Sequence, residues 1–331
     1  MIEIFPKKYR RYFATNFINI SNKENKSNYH IYFNDNNIET KRISFIENDH
    51  ISKIKIILDK KFKSFNNLFK GCIAIEKISF IKFNRTDIIN MGNMFYHCKN
   101  LKKINFIKFK TNNVINMNSM FARCLSLEEL DLSNFNTENV KNMNRMFYFC
   151  KSLRKLDLSS FNTFNVKYMY QMFGNCKSLK QLNLSNFRNN NLINMSEMFL
   201  SCSSLEDLNL NNLNTNNVMN MSWMFSYCKS LKKLNLSGFN TDKVINMESM
   251  FSNCSSLNEL NISNFNINNV KNMAKMFCNC NSLNDLNIPN LDTIICKKRV
   301  YGMFYNCSNE LKDKIKNKYK NINEAVFNYF I

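Results

Sequence analysis

Residues 124–149 read CLSLEELDLSNFNTENVKNMNRMFYF, and residues 228–253 return the same pattern as CKSLKKLNLSGFNTDKVINMESMFSN. Each copy has two halves with different periods. Leu127, Leu130 and Leu132 form L-x-x-L-x-L, which ends in an alternation and predicts a short strand with Leu130 and Leu132 pointing inward. Val140, Met143, Met146 and Phe147 follow at spacings of 3, 3 and 1, which predicts a turn or two of α- or 3₁₀-helix, with Thr137 or Asn142 as cap.

Working outward, the same unit fills most of the chain. Cys72, Cys98, Cys124, Cys150, Cys176, Cys202, Cys228, Cys254 and Cys280 are each 26 residues from the next, and Cys307 follows after 27. Seventeen of the 19 Met fall on two parallel series, Met91 to Met273 and Met94 to Met303. A unit this small cannot bury its own apolar side, so it must stack on copies of itself as a solenoid. The predicted fold is an α/β repeat solenoid, whose strand half resembles a leucine-rich repeat; the resemblance implies a continuous parallel β-sheet on one face, with short helical or irregular segments on the other and a cap at each end.

Composition removes whole classes of function. The 331 residues include 5 Gly and 2 Pro, against about 23 and 17 at average usage. Gly71, Gly92, Gly174, Gly238 and Gly302 lie too far apart to share a phosphate loop or a G-x-S-x-G elbow. His30, His50 and His97 include no i, i+4 pair for a helical zinc site. No constellation supplies a nucleophile with its base, so the reading is of a non-enzyme without a cofactor. The N-terminal MIEIFPKKYRRYF lacks the apolar run of a secretory signal, and no stretch reaches the ~18 apolar residues of a membrane span. By these signals the expected location is cytoplasmic by default.

The motif N-M-x-x-M-F-x-x-C-x-S-L followed by L-x-L-S-x-F-x-T-x-x-V resembles the repeat of the BspA-like leucine-rich-repeat proteins over about 235 residues, nine full units. The resemblance implies a parallel solenoid, no catalytic residues and, as in many relatives, cell-surface attachment or adhesion. Relatives of the secreted kind begin with a signal peptide, from which this chain departs. The expected organisation is a polar segment with a β-hairpin cap over 1–50, built on HIYFNDNNIETKRISFI, then an atypical first rung over 51–71. Repeats follow over 72–307, and a helical cap over 308–331, where Leu311, Ile315, Tyr319 and Ile322 have helical spacing.

The residue series raise chemical alternatives. Stacked cysteines at strand spacing could approach disulfide range, but buried Cys behaves as a small hydrophobe, and a reduced structural ladder is the better account. Cys278 and Cys296 fall outside the series; Cys278-x-Cys280 has no second pair or His to complete a metal site, so no metal is expected. Met and Phe in register read as core rather than as an adaptable groove. Thr111, Thr137, Thr163, Thr215, Thr241 and Thr293 align at one Thr per rung, which suits turn bonding better than an ice-binding array.

Partner contacts are expected on the strand face. Between the last two apolar positions lies a nearly uniform row, Ser79, Asn105, Asp131, Asp157, Asn183, Asn209, Asn235, Asn261 and Asn287, read as a ladder satisfying itself along the stack. Two residues earlier the row varies: Lys77, Lys103, Glu129, Lys155, Gln181, Asp207, Lys233, Glu259 and Asp285 are the candidate partner-binding residues. The formal charge of +21 is concentrated at one end, +17 over residues 1–180 against −1 over 181–296. Lys99, Lys102, Lys151, Arg154, Lys177 and Lys180 recur at related positions as a candidate basic stripe. The functional reading is an interaction protein holding a protein or carbohydrate partner on the strand face. The alternative is an intracellular scaffold, or a binder of anionic polymers through the basic half, without sequence-specific nucleic-acid recognition.

Overall fold

The computed structural model describes residues 1–7, 15–20, 26–46, 49–60, 64–81, 83, 85–288, 291, 299–319 and 322–329. Cys296 and Thr293 lie outside the described residues. The repeats form the expected stack, and one apolar cluster runs unbroken from Ile2 to Val326. Its axis is a column of phenylalanines. Phe95, Phe121, Phe147, Phe173, Phe199, Phe225, Phe251, Phe277 and Phe304 stack ring on ring at 5.4–5.6 Å with planes within 8° of parallel. Stacked pairs of this kind contribute about 0.5–1.5 kcal/mol each beyond the burial of their area.

The segment from each N-M to the following Cys is not helical; no α-helix occurs among the described residues of 72–288. It is a chain of tight turns whose amides alternate in direction. Met94, Tyr96 and Cys98 donate within their rung to carbonyls three residues back, whereas Met91, Asn93, Phe95 and His97 donate to the next rung at Asn116, Asn118, Met120 and Ala122. The spacing of 3, 3 and 1 matches a helix and these turns equally, because both close i→i−3 contacts. Each rung can alternate only because two of its residues turn to positive φ, as Asn93 (53°) and His97 (62°) do. Across ten rungs these positions hold Gly only at Gly71 and Gly302; Phe149, Glu197, Trp223 and Tyr227 are among the others. A left-handed non-glycine costs roughly 1–2 kcal/mol. From Asn67 to Gly302 the same residues donate their N–H to the rung ahead, at 2.6–3.1 Å, which holds them there.

The strand half is less regular, and it corrects the expectation of one continuous sheet. Parallel pairing joins β4 (Ile75–Phe80) to β5 (Lys103–Phe106), β6 (Lys155–Asp157) to β7 (Gln181–Asn183), and β8 (Lys233–Asn235) to β9 (Glu259–Asn261). Residues 129–131, 207–209 and 285–287 keep the position without strand pairing. Where rungs pair, an inward leucine donates 25 residues ahead, as Leu158 N does to Asn183 O at 3.0 Å. In two of the unpaired rungs, Leu208 N and Leu286 N, at the position of Leu156, are taken by the neighbouring carboxylates of Asp207 and Asp285, both at 2.8 Å. The unbroken ladder lies elsewhere: parallel bridges run from Asn90 through Asn116, Asn142, Tyr168, Asn194, Asn220, Asn246 and Asn272 to Arg299.

The N-terminal end also departs from expectation. β1 (Ile2–Pro6) inserts antiparallel between β3 (Ile54–Leu58) and β4, giving the order β2-β3-β1-β4-β5. Ile2 and Ile4 are buried there, which is why a strand forms in a segment otherwise polar and basic. Residues 51–60 and 64–71 therefore make a split rung: the turn half still donates forward from Phe65, Asn67, Phe69 and Gly71, while β1 stands between β3 and β4. β2 (Tyr29–Phe33) turns at Asn34 and Asp35 and returns through one bridge, Ile31 to Thr40, but its full partner is β3. At the other end α1 (Asn309–Lys318) is capped by Ser308, whose hydroxyl accepts from Leu311 N, and buries Leu311 and Ile315 against the last rung. Val326 O accepts from Phe304 N at 2.7 Å and Phe327 closes the phenylalanine column.

Candidate interaction surface

The side chains that build the stack explain which positions are left to vary. From Cys98 to Cys307 each ladder thiol donates to a phenylalanine carbonyl one rung back, as Cys150 to Phe121 and Cys176 to Phe147, both at 3.1 Å, whereas Cys72 at the start of the ladder faces Lys70 O of its own rung. Burial pushes the thiols of Cys176, Cys228 and Cys307 up to about 12, so they stay protonated donors rather than nucleophiles. The eleven described cysteines carry no disulfide. Thr137 donates through its buried hydroxyl to Asn162 O at 2.8 Å, and Thr111, Thr215 and Thr241 do the same, which gives the threonine series its turn-bonding role. Asn189, standing where a Thr would, keeps the connection by donating to Thr163 O at 3.0 Å.

In the uniform row Asn105 Nδ2 donates to Ser79 Oγ one rung back at 3.1 Å, the bonding along the stack that its regularity implies, but the later members add a local bond. Asp131, Asp157, Asn183, Asn209, Asn235 and Asn261 each accept, through the side chain, from the backbone N–H two residues on in their own rung, at 2.9–3.2 Å. From Asp131 to Asn261 the row stays uniform because each of these rungs makes this local turn bond. Those bonds to Ser133 and Ser159 hold the Asp131 and Asp157 carboxyls below their ordinary range.

All nine residues of the variable row are exposed on the strand face, in the rungs that pair and in those that do not. Registers set Lys77 beside Lys103, Lys155 beside Gln181 and Lys233 beside Glu259. The Lys233–Glu259 pair meets at 2.5 Å, but with both side chains about two-thirds exposed it contributes little to stability. Over the last four rungs this face hollows into a groove of about 770 Å³ lined by Asp207, Lys233, Glu259 and Asp285 above the row from Asn209 to Asn287. The groove was not legible from composition, which shows the second half only as near-neutral. The six stripe residues, Lys99, Lys102, Lys151, Arg154, Lys177 and Lys180, are all exposed. Lys102 is bonded to Glu76 at 2.9 Å, which lowers the Glu76 carboxyl and raises the ammonium, and Lys151 lies over Phe149 at 5.3 Å.

A second cavity, of about 420 Å³, opens on the turn face between Asn175, Glu197, Leu200, Ser201, Trp223 and Tyr227. Sequence reasoning passes over it. The one available signal is that the chain's single Trp and a Tyr occupy repeat positions filled in neighbouring rungs by Ser, Asn, Gln or Glu.

No group of three or more His, Cys, Asp or Glu side chains able to hold a metal occurs among the described residues. Within the same residues no helix is long and apolar enough to cross a membrane. The geometry defines a repeat solenoid with a leucine-rich strand face and a turn-built spine. The chain belongs to the family described as "Mycoplasma protein of unknown function, DUF285", whose model matches residues 63–187, 150–231 and 193–319. No curated protein is detectably similar to it. Similar solved structures include bacterial leucine-rich repeat proteins. One from Bacteroides ovatus is 18% identical over 73% of this chain and 79% of its own, with a TM-score of 0.27. The Treponema protein titled T. pallidum leucine rich repeat protein is 18% identical over 75% and 78%, at 0.26. One from Eubacterium ventriosum is 14% identical over 74% and 80%, at 0.31.

Proposed function

We propose that the chain is a non-enzymatic interaction module that holds a protein or carbohydrate partner on its strand face. The observation that carries this is the division of labour within each rung. Nine side chains of varied charge are presented in register and exposed, while the row two residues on is committed to turn bonds and everything inward is core. The hollow over Asp207, Lys233, Glu259 and Asp285 gives the face a concave seat within the size range of ordinary binding clefts. Surface attachment or adhesion is the setting implied by the likeness of the 26-residue unit to BspA-like repeats.

Photo-crosslinking side chains placed at Lys155 and Lys233, with Arg123 on the turn face as comparison, test the reading. Adducts with a partner are expected from the two strand-face positions; adducts from Arg123 alone would overturn it. The basic first half supports a second reading, an anionic polymer lying across Lys99, Lys102, Lys151, Arg154, Lys177 and Lys180. Its signature is heparin binding that weakens steeply with salt, and binding insensitive to salt would remove it.

A further inference from the structure

On the turn face several aromatic rings are covered by the chain's own cations, while Tyr305 meets the Tyr329 ring and Tyr168 stands exposed. Lys70 lies over Tyr96 at 5.6 Å, Arg123 over Phe149 at 5.5 Å, and Arg145 over Tyr148 and Tyr170 at 5.7 and 5.1 Å. Lys275 lies over Tyr301 and Tyr329 at 5.6 and 4.0 Å. Trp223 and Tyr227 break the pattern. Neither ring carries a cation or a second ring among the described residues, and neither the indole N–H nor the phenol hydroxyl has a hydrogen-bond partner there. Both occupy left-handed positions, φ 57° and 63°, where large side chains carry a backbone cost that the other rungs more often meet with Asn or Ser.

Where the pattern would place a Lys or Arg, this site has a carboxylate. Glu197 accepts from Gln171 Nε2 at 2.6 Å, and Gln171 is itself held by Arg145 Nε at 2.7 Å. Glu197 makes no ion pair among the described residues, and with the two rings it borders the 420 Å³ cavity. The surrounding segment, 181–296, has a net charge of −1 against +17 for the first 180 residues, so it is the part of the repeats least repulsive to a positive ligand. Ring faces carry negative potential, and a cation within about 6 Å of one gains about 0.5–1 kcal/mol when exposed and about 2 when desolvated.

We infer that the Glu197–Trp223–Tyr227 pocket binds an organic cation, an alkylammonium or guanidinium head, supplied either by a free small molecule or by a partner's side chain. The site is independent of the strand face. Trp223 is the chain's only tryptophan, so its fluorescence reports the pocket directly. Choline and an N-acetylated Arg-Lys tetrapeptide are titrated against the full chain at constant ionic strength, with 3,3-dimethylbutan-1-ol as the uncharged shape of choline and N-acetylglucosamine as a neutral sugar. A saturable change with either cation and none with the neutral probes is expected. A response to choline alone assigns a free ligand, and tighter binding of the peptide assigns a partner's side chain. Glu197→Gln, which keeps the Gln171 bond, is expected to weaken binding at least about tenfold. Tyr227→Leu, which keeps apolar bulk without the ring, is expected to weaken it about threefold, with thermal melting confirming that both variants fold. Equal response to the uncharged alcohol, response to the sugar alone, unchanged affinity in Glu197→Gln, or no saturable response to any probe would overturn the assignment.

Discussion

The two halves of each rung solve the stacking problem differently. In the turn half the rungs repeat the same bonds: alternate amides reach a carbonyl one rung ahead, the Phe rings stack, and from Cys98 on a thiol reaches one rung back. In the strand half pairing lapses at 129–131, 207–209 and 285–287, yet the rungs remain in register. Register is therefore fixed by the turns, and the strand face is left to carry varied side chains. A nearest-neighbour solenoid needs only one uninterrupted interface of this kind to propagate order from rung to rung.

The largest expected effect comes from alkali, through the buried thiols of the turn half. A buried thiol that holds its proton to about pH 12, against about 9 when exposed, stabilises the fold below pH 9 and loses that contribution as pH rises toward 12. Each such thiol adds a slope of about 1.4 kcal/mol per pH unit. Urea midpoints are expected to hold steady from pH 7 to 9 and then fall steeply, less steeply in a Cys176→Ala/Cys228→Ala variant; a flat profile to pH 11 would show the thiols are not coupled to folding. Mild acid should do far less, since the lowered carboxyls of Asp131 and Asp157 are exposed.

Next in size, Phe173→Ala opens the ring column between Phe147 and Phe199 and should cost about 3–5 kcal/mol in denaturant unfolding. Lys155→Ala, on the strand face of the same rung, should stay within about 0.5 kcal/mol. Glycine then separates the halves by sign. Ser201→Gly, at φ 58°, is expected to stabilise by about 0.5 kcal/mol because it relieves a left-handed residue, whereas Lys155→Gly, in a strand, should destabilise by about 0.5–1 kcal/mol. Equal signs in thermal melts would break the contrast. Smallest of all, Asp207→Thr removes the carboxylate that takes Leu208 N and should let residues 207–209 join β8, seen as slower amide exchange there with only a few tenths of a kcal/mol in stability.

Much of this was legible in the sequence, because a 26-residue spacing of Cys, Met and Phe leaves no other register. The core residues and the exposure of the variable row followed from it, while the helix around Leu311 and Ile315 was legible from its own spacing. The left-handed positions did not follow, because their usual mark is Gly or Asn, and here Phe149, Glu197 and Trp223 are held at positive φ by bonds to the next rung. The insertion of β1 was hidden for a similar reason: Ile2 and Ile4 alternate, but only the partners on either side, Ile56 and Phe80, make that alternation a central strand. The uniform row links rung to rung at Asn105 and Ser79, but from Asp131 to Asn261 its members bond within their own rung, and a bond repeated within rungs leaves the same regularity as one made between them.

Native-state amide hydrogen exchange tests the assignment of the spine to the turns most directly. The amides of Phe147, Phe173, Phe199 and Phe225, each donating to the rung ahead at 2.9 Å, should exchange only with global unfolding, while those at 129–131 and 207–209 exchange faster through local opening. Strand-face amides protected as well as or better than the phenylalanine amides would contradict it, and would return register to the sheet.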